Sequence, residues 1–290
     1  MDNIRKKKSA TKYTNKRAKK NNGRKVNSFE MFFKFKKFAF VRKFAFLIIT
    51  LMFLKYEFGN VLTVTDFLKT LAKFVGFFLM YSSIYVFNDI TDYRDDIKRK
   101  FIRESKILAR GIVELDQFAL FGGYLLVIGS IISLIFMTKA EVLIIFGLIL
   151  FGILRSYIKN LGLRSFALIV MEFVNLLLFV MFVNNSFLFE QKTLLMVSAV
   201  SIYYTILYYI YRKFEKENEE YVMKWGNVLI PALIIIFMLF PFSLFFRVYM
   251  AIMASGYALL WRNSIIKKSV KTIVYGGFVF LLISLVLLFM

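Results

Sequence analysis

The stretch Asn88-Asp89-Ile90-Thr91-Asp92-Tyr93-Arg94-Asp95-Asp96 packs four carboxylates and one carboxamide into nine consecutive residues. Asn88, Asp92 and Asp96 recur at intervals of four, so a continuing helix stacks them on one face. Asp89 flanks that face and Asp95 sits one position off it. Acids this close repel one another and are costly beside a bilayer unless a cation binds them. Mg²⁺ suits the set, because it takes oxygen ligands from one or two carboxylates and completes its shell with phosphates and water. The plain alternative is a solvated helix end of mixed charge. The chain has no Cys and no His, which excludes disulfides, Cys or His zinc sites, a cysteine nucleophile and a histidine base. A bound metal must therefore be a hard ion on oxygen ligands.

The elements that would position these residues are apolar helices. Of the 290 residues 59% are hydrophobic, against about 45–50% in soluble domains, and the mean hydropathy is +0.66. A spanning helix needs roughly 20 mostly apolar residues. Nine candidate runs follow: 38–54, 71–90, 118–137, 142–157, 166–183, 194–211, 228–244, 248–261 and 274–290. The seventh and eighth meet at Pro241. Basic residues crowd alternate loops: Lys98, Arg99, Lys100, Arg103, Lys106 and Arg110; then Arg155, Lys159 and Arg164; then Arg212, Lys213, Lys216 and Lys224; then Arg262, Lys267, Lys268 and Lys271. The loops between hold Lys55 with Lys69, Lys139, Lys192 and Arg247. By the positive-inside rule the N-terminus is expected in the cytoplasm and the C-terminus outside. The fold expected is all-α, a polytopic bundle of about nine transmembrane helices over residues 38–290. Residues 1–37, rich in Lys, Arg, Asn and Ser, read as a disordered basic cytoplasmic tail that meets anionic lipid headgroups. With membrane spans to explain the formal charge of +22, no nucleic acid is expected as a partner.

Asn88 to Asp96 resembles the N-D-x-x-D-x-x-x-D motif of the UbiA-type intramembrane prenyltransferases. Lys106-Ile107-Leu108-Ala109-Arg110-Gly111 is similar to the R-P-I-x-S-G segment that follows it there, with Lys for Arg and Ile for Pro. The resemblance implies a nine-helix bundle in the cell membrane, here read as bacterial. It also implies Mg²⁺-dependent transfer of a prenyl group from a polyprenyl diphosphate to an aromatic or lipid acceptor. It makes Asn88, Asp89, Asp92 and Asp96 metal ligands, with Asp92 and Asp96 at the catalytic centre. The family's second acidic motif, D-x-x-x-D after the sixth helix, falls on Glu215 and Glu219, whose longer side chains need a shifted backbone to reach the same ion. The same stretch also reads as an exposed charged helix with pairs such as Glu220 and Lys224.

Ionising a prenyl diphosphate requires cations where charge develops on the leaving group. Arg94, Lys98, Lys106, Lys159 and Arg212, all in cytoplasmic loops, are the candidates to bind it. The departing prenyl group has cationic character that aromatic faces stabilise, and Tyr203, Tyr204, Tyr208, Tyr209 and Tyr211 lie on the sixth run. Glu172 and Asn175 sit three apart inside the fifth run. Glu172 is a catalytic candidate as proton acceptor or acceptor contact, or else a structural hydrogen bond between helices. Arg42 and Lys43, inside the first run, either point into the bundle's cavity or snorkel to the headgroups, and snorkelling is the expectation.

Two other functions fit the same residues. Ser82-Ser83-Ile84-Tyr85, the spacing from Asp96 to Gly111 and Arg212-Lys213-Phe214-Glu215 resemble the branch of that family that moves phosphoribose from phosphoribosyl diphosphate to a polyprenyl phosphate. A non-catalytic membrane scaffold, its basic tail on anionic lipid or RNA, is the third.

Overall fold

The computed structural model describes residues 28–60, 63–97, 107–109, 111–158, 160–214, 232, 235–266 and 271–289. Among these the protein is all-helical, with no strand. The helices are α1 (Ser28–Phe58), α2 (Val64–Thr91), α3 (Tyr93–Ile97), α4 (Leu115–Phe136), α5 (Lys139–Ser156), α6 (Leu161–Val183), α7 (Gln191–Phe214), α8 (Leu244–Ile266) and α9 (Lys271–Phe289). Among the described residues three segments are long and apolar enough to cross a membrane: Val64–Thr91, Leu115–Phe136 and Gly162–Val183. The other long helices overlap the remaining apolar runs, except that most of the seventh run lies outside the described residues.

Local chemistry sets the helix ends. The Thr63 hydroxyl accepts from the Asp66 amide and starts α2. Between α4 and α5 the chain turns within two residues, because Thr138 and Glu141 form a reciprocal capping box. Asn160 caps α6 through the Leu163 amide. α1 ends at Phe58, where Gly59 takes φ +64 and turns the chain away. Helical residues 235–239 give way to a bend at Phe240-Pro241-Phe242, and the Ser243 hydroxyl then accepts from the Phe246 amide at the start of α8.

α1 is the central element and packs on α2, α6, α8 and α9. Every residue from Phe46 to Leu54 is buried, as a helix apolar on all sides must be. α1 also takes in residues 28–37, which composition alone assigns to the tail; four phenylalanines among them supply apolar surface that a disordered segment lacks. α4 is peripheral. Only 33% of its apolar window is buried, against 61% for α2, and Leu120, Tyr124, Val127, Ile131 and Leu134 point outward. α4 lies close along α2 because Gly129 has no side chain: a Cβ there would come 2.7 Å from the Met80 backbone nitrogen. A second, smaller core joins the loop to these two helices. Ile107, Leu108 and Val113 are buried with Val86, Phe118, Phe121 and Leu125, and Ile90 and Tyr93 pack against them.

Candidate functional site

The acidic stretch lies where α2 ends. α2 stops at Thr91, Asp92 closes it in a right-handed helical conformation, and α3 begins at Tyr93. The Asp92 amide donates to the Asn88 carbonyl at 2.9 Å and the Asp96 amide to the Asp92 carbonyl at 2.9 Å. The i to i−4 ladder thus continues through the junction, and Asn88, Asp92 and Asp96 keep the stacking their spacing predicts. Asp89 and Asp96 are buried, Asp92 is half-buried and Arg94 is exposed. Ile107 and Leu108 pack beside Ile90 and Tyr93, so the Lys106–Gly111 segment and the acidic segment are neighbours. Ile107 of that segment is itself part of this core.

Among the described residues no three acidic side chains converge tightly enough to hold a metal by themselves. The carboxylates are strung along a helix face, about 6 Å of rise between successive members. Such an array suits an ion held by one or two carboxylates and otherwise by phosphate and water. The Asn88 side-chain oxygen fits that description: it is buried, with no hydrogen-bond partner among the described residues.

Directly beneath, α1, α2, α6 and α7 bring together a buried polar cluster. Lys43 Nζ lies 2.5 Å from Glu172 Oε2, and both side chains are fully buried. Asn175 Nδ2 donates to the same oxygen at 3.1 Å. Arg42 Nη2 donates to the Tyr85 hydroxyl at 2.7 Å and stands 3.8 Å from Glu172 Oε1, while Nη1 bonds the Tyr204 hydroxyl. The Arg42 guanidinium carbon also sits 4.8 Å from the Tyr204 ring centroid, and Lys43 Nζ 4.5 Å from that of Tyr81. Arg42 Nε, Glu172 Oε1 and Asn175 Oδ1 are buried with no hydrogen bond among the described residues. Two cations thus face one carboxylate.

This arrangement overturns the expectation that Arg42 and Lys43 snorkel. Both are turned into the bundle, against one carboxylate and three tyrosines. For Glu172 a bond between helices is present, from Lys43 of α1, while Asn175 donates to it from its own helix. The placement of the cluster relative to the acids follows from helix rise. Lys69 to Asp89 is twenty residues of α2, about 30 Å, so the acids lie at the opposite end of α2 from Lys69. Tyr85 is one turn below Asp89, about 6 Å.

No family model, curated protein or solved structure matches this chain.

Of the other expected site residues, Lys98, Lys106, Lys159, Glu215 and Glu219 lie outside the described residues. Arg212 falls in the last turn of α7. Arg155 Nε donates to the Arg164 carbonyl at 3.2 Å, which ties the ends of α5 and α6 together. Among the tyrosines, Tyr204 joins the cluster and the Tyr203 hydroxyl donates to the Ala254 carbonyl at 2.6 Å; the side chains of Tyr208, Tyr209 and Tyr211 are outside what is described. Sequence reasoning did not place Tyr81 or Tyr85 in the site, and for Arg42 and Lys43 it favoured snorkelling over the inward orientation. Two adjacent cations in one apolar run and an acid in another were the available signal, since charges inside a bilayer pair with one another.

Proposed function

We infer that the protein is a polytopic membrane transferase of about nine spans that acts on a prenyl diphosphate at the cytoplasmic face with Mg²⁺. The observation that carries this reading is the stacking of two complementary features at one end of the bundle. An acidic helix end lies one turn above a buried cluster in which, among the described residues, Arg42 and Lys43 share the Glu172 carboxylate. A buried cation without a full counter-charge costs several kcal/mol, which an anionic substrate offsets. The resemblance of Asn88–Asp96 to the UbiA-type motif supports the same conclusion.

In this mechanism one or two of the carboxylates of Asp89, Asp92 and Asp96, with the side-chain oxygen of Asn88, would hold the ion, and phosphate and water would complete its shell. Mg²⁺, when bound, supplies neutralisation of the charge that builds on the departing diphosphate. Arg42 adds a fixed cation below it, held in orientation by Tyr85 and Tyr204. The rings of Tyr81, Tyr85 and Tyr204 present negative faces to a developing carbocation. Glu172 Oε1 is the free acceptor for a proton from the group under attack. The basic loops and the Glu215–Glu219 segment complete the diphosphate-binding set.

The test is turnover by the purified chain in nanodiscs, with Mg²⁺, membrane lipid extract and labelled donor, followed by mass analysis of product. A product from prenyl diphosphate that disappears in Asp92→Asn supports the reading. Turnover with phosphoribosyl diphosphate alone replaces it by phosphoribosyl transfer to a polyprenyl phosphate. No Mg²⁺-dependent product from either donor leaves the non-catalytic scaffold.

A further inference from the structure

We propose that the turn built on Ile107, Leu108 and Gly111 is a clamp that positions the candidate site, holding the short α3 in line with α2 so that Asn88, Asp92 and Asp96 stay stacked. The clamp's bearing on a bound ion rests on the transferase reading. Its bearing on α3 does not.

α3 does not hold itself. It has five residues, Tyr93–Ile97, where an isolated helix needs roughly 12–15 to be even marginal in water. Charge adds to the difficulty. Asp89 and Asp92 sit at the C-terminal end of α2, whose last turn holds no basic residue, and the helix dipole there disfavours anions. Yet the Asp96 amide still donates to the Asp92 carbonyl at 2.9 Å. Contacts from outside the helix must keep it formed.

The smaller core provides them. Leu79, Val86, Ile90 and Tyr93 are spaced by seven, four and three, so they form one stripe along α2 and α3. All four pack with the buried Ile107 and Leu108. Docking Ile90 and Tyr93, on either side of Asp92, fixes the rotation of α3 about the α2 axis, and with it the face that carries the acids. The turn is closed by its own backbone. The Ile112 amide donates to the Ile107 carbonyl at 3.1 Å and the Gly111 amide to the Leu108 carbonyl at 3.0 Å, with Gly111 at φ +68. This is a Schellman closure, which brings an apolar residue just past the glycine against one at the start of the turn. Ile112 and Ile107 are that pair, and both lie in the smaller core. Nothing lies within 4 Å of where a Gly111 Cβ would stand, so glycine is required there by the backbone alone.

One residue joins the clamp to the buried cluster. Tyr85 packs against both the smaller core and the main one, and its hydroxyl accepts from Arg42 at 2.7 Å. The clamp therefore braces the partner of Arg42 as well as the acids. Ile107 and Leu108 are positioning residues, acting on the site through Ile90, Tyr93 and Tyr85.

The full chain is reconstituted in nanodiscs and compared with I107A/L108A, G111V, G111N and a control, I145A. Ile145 is fully buried and belongs to the main core, not the smaller one. Amide hydrogen exchange is followed by segment, and binding of Mn²⁺ alone by electron paramagnetic resonance. In I107A/L108A, exchange over residues 92–97 should quicken by roughly tenfold or more, while exchange over 168–180 in α6 stays as in the parent. Mn²⁺ affinity should fall by a similar factor. G111V should act in the same direction, because a β-branched residue rarely adopts positive φ, and G111N, which tolerates it, should match the parent. I145A should lower Tm with neither effect. Unchanged exchange over 92–97 in I107A/L108A overturns the clamp, as does an equal effect from I145A, or G111N behaving like G111V. Quickened exchange with unaltered Mn²⁺ affinity overturns the positioning of the site. A parent chain that binds no Mn²⁺ overturns instead the ion reading of Asn88 to Asp96, and exchange alone then decides the clamp.

Discussion

Replacing Glu172 by Gln tests the buried cluster most directly. Glu172 is the carboxylate that faces Lys43 at 2.5 Å and Arg42 at 3.8 Å. The amide keeps the shape and one acceptor but removes the charge, leaving two cations in a bundle interior where Lys43 has no contact with solvent. Breaking a buried pair by removing one partner costs about 3–5 kcal/mol, because the other charge stays desolvated. With roughly 2–4 °C of Tm per kcal/mol for a chain approaching this size, the expected loss is about 6–20 °C. The assay is a thermal melt of the purified chain in nanodiscs at one fixed scan rate. The double variant Lys43→Met with Glu172→Gln removes the stranded lysine with a side chain of similar length. It should recover at least half of the loss, which is the signature of coupling between residues in contact. A melt of Glu172→Gln within about 1 °C of the parent would refute the ionic account of the cluster.

Asp92→Asn should weaken Mg²⁺-dependent binding of a prenyl diphosphate by at least about tenfold, measured by titration calorimetry, while Tm changes little, because the residue is half-buried at a helix end. Gly129→Ala should cost about 1–3 kcal/mol, since its Cβ would press on the Met80 backbone; Gly123→Ala, with open space around it, should be neutral or slightly stabilising in the same melts. Burial pushes the Glu57 carboxyl up, but donation from Ser243 and Lys192 outweighs this and holds it below its ordinary 4.5. A depressed folded pKa gives stability that is complete above about 4.5 and is lost as pH falls through the folded value, so a melt series from pH 6 downward should show a decline that Glu57→Gln flattens.

What could be read from sequence divides along the range of the interactions. The stack of Asn88, Asp92 and Asp96 was legible because i,i+4 spacing is a local property, and one capping residue between α2 and α3 leaves it intact. The apolar runs were legible for the same reason. Arg42 and Lys43 were misread because their partners lie far along the chain: Glu172 is 129 residues from Lys43, and Tyr204 is 162 from Arg42. Snorkelling is the default for a lone lysine, and only the packing of α1 against α6 makes inward pairing cheaper. The start of α1 was placed too late because lysine density outweighed the phenylalanines between the lysines. The packing of Ile107 and Leu108 beside Ile90 and Tyr93 was not legible either, since it depends on α4 lying along α2.

The two ends of the bundle treat buried carboxylates differently, and the difference bears on which end works. At the end where α1 stops, Glu57 Oε1 takes the Ser243 amide and Oε2 takes Lys192. Glu141 Oε1 takes Lys73 at 2.8 Å and Oε2 takes the Thr138 amide at 2.6 Å. Each of those carboxylates has both oxygens bonded, which is what a purely structural role requires. Toward the end that carries the acidic stretch, Lys43 and Asn175 both converge on Glu172 Oε2, while Oε1 receives no hydrogen bond among the described residues. Leaving a buried acceptor unfilled costs about 1–3 kcal/mol. The same fold satisfies its other two buried glutamates, so geometry does not force the deficit. It is the state expected of a side chain whose remaining bond is made to something that comes and goes. Lys43 and Asn175 hold Oε2 and so fix the carboxylate, while Oε1 stays available on the side of Arg42.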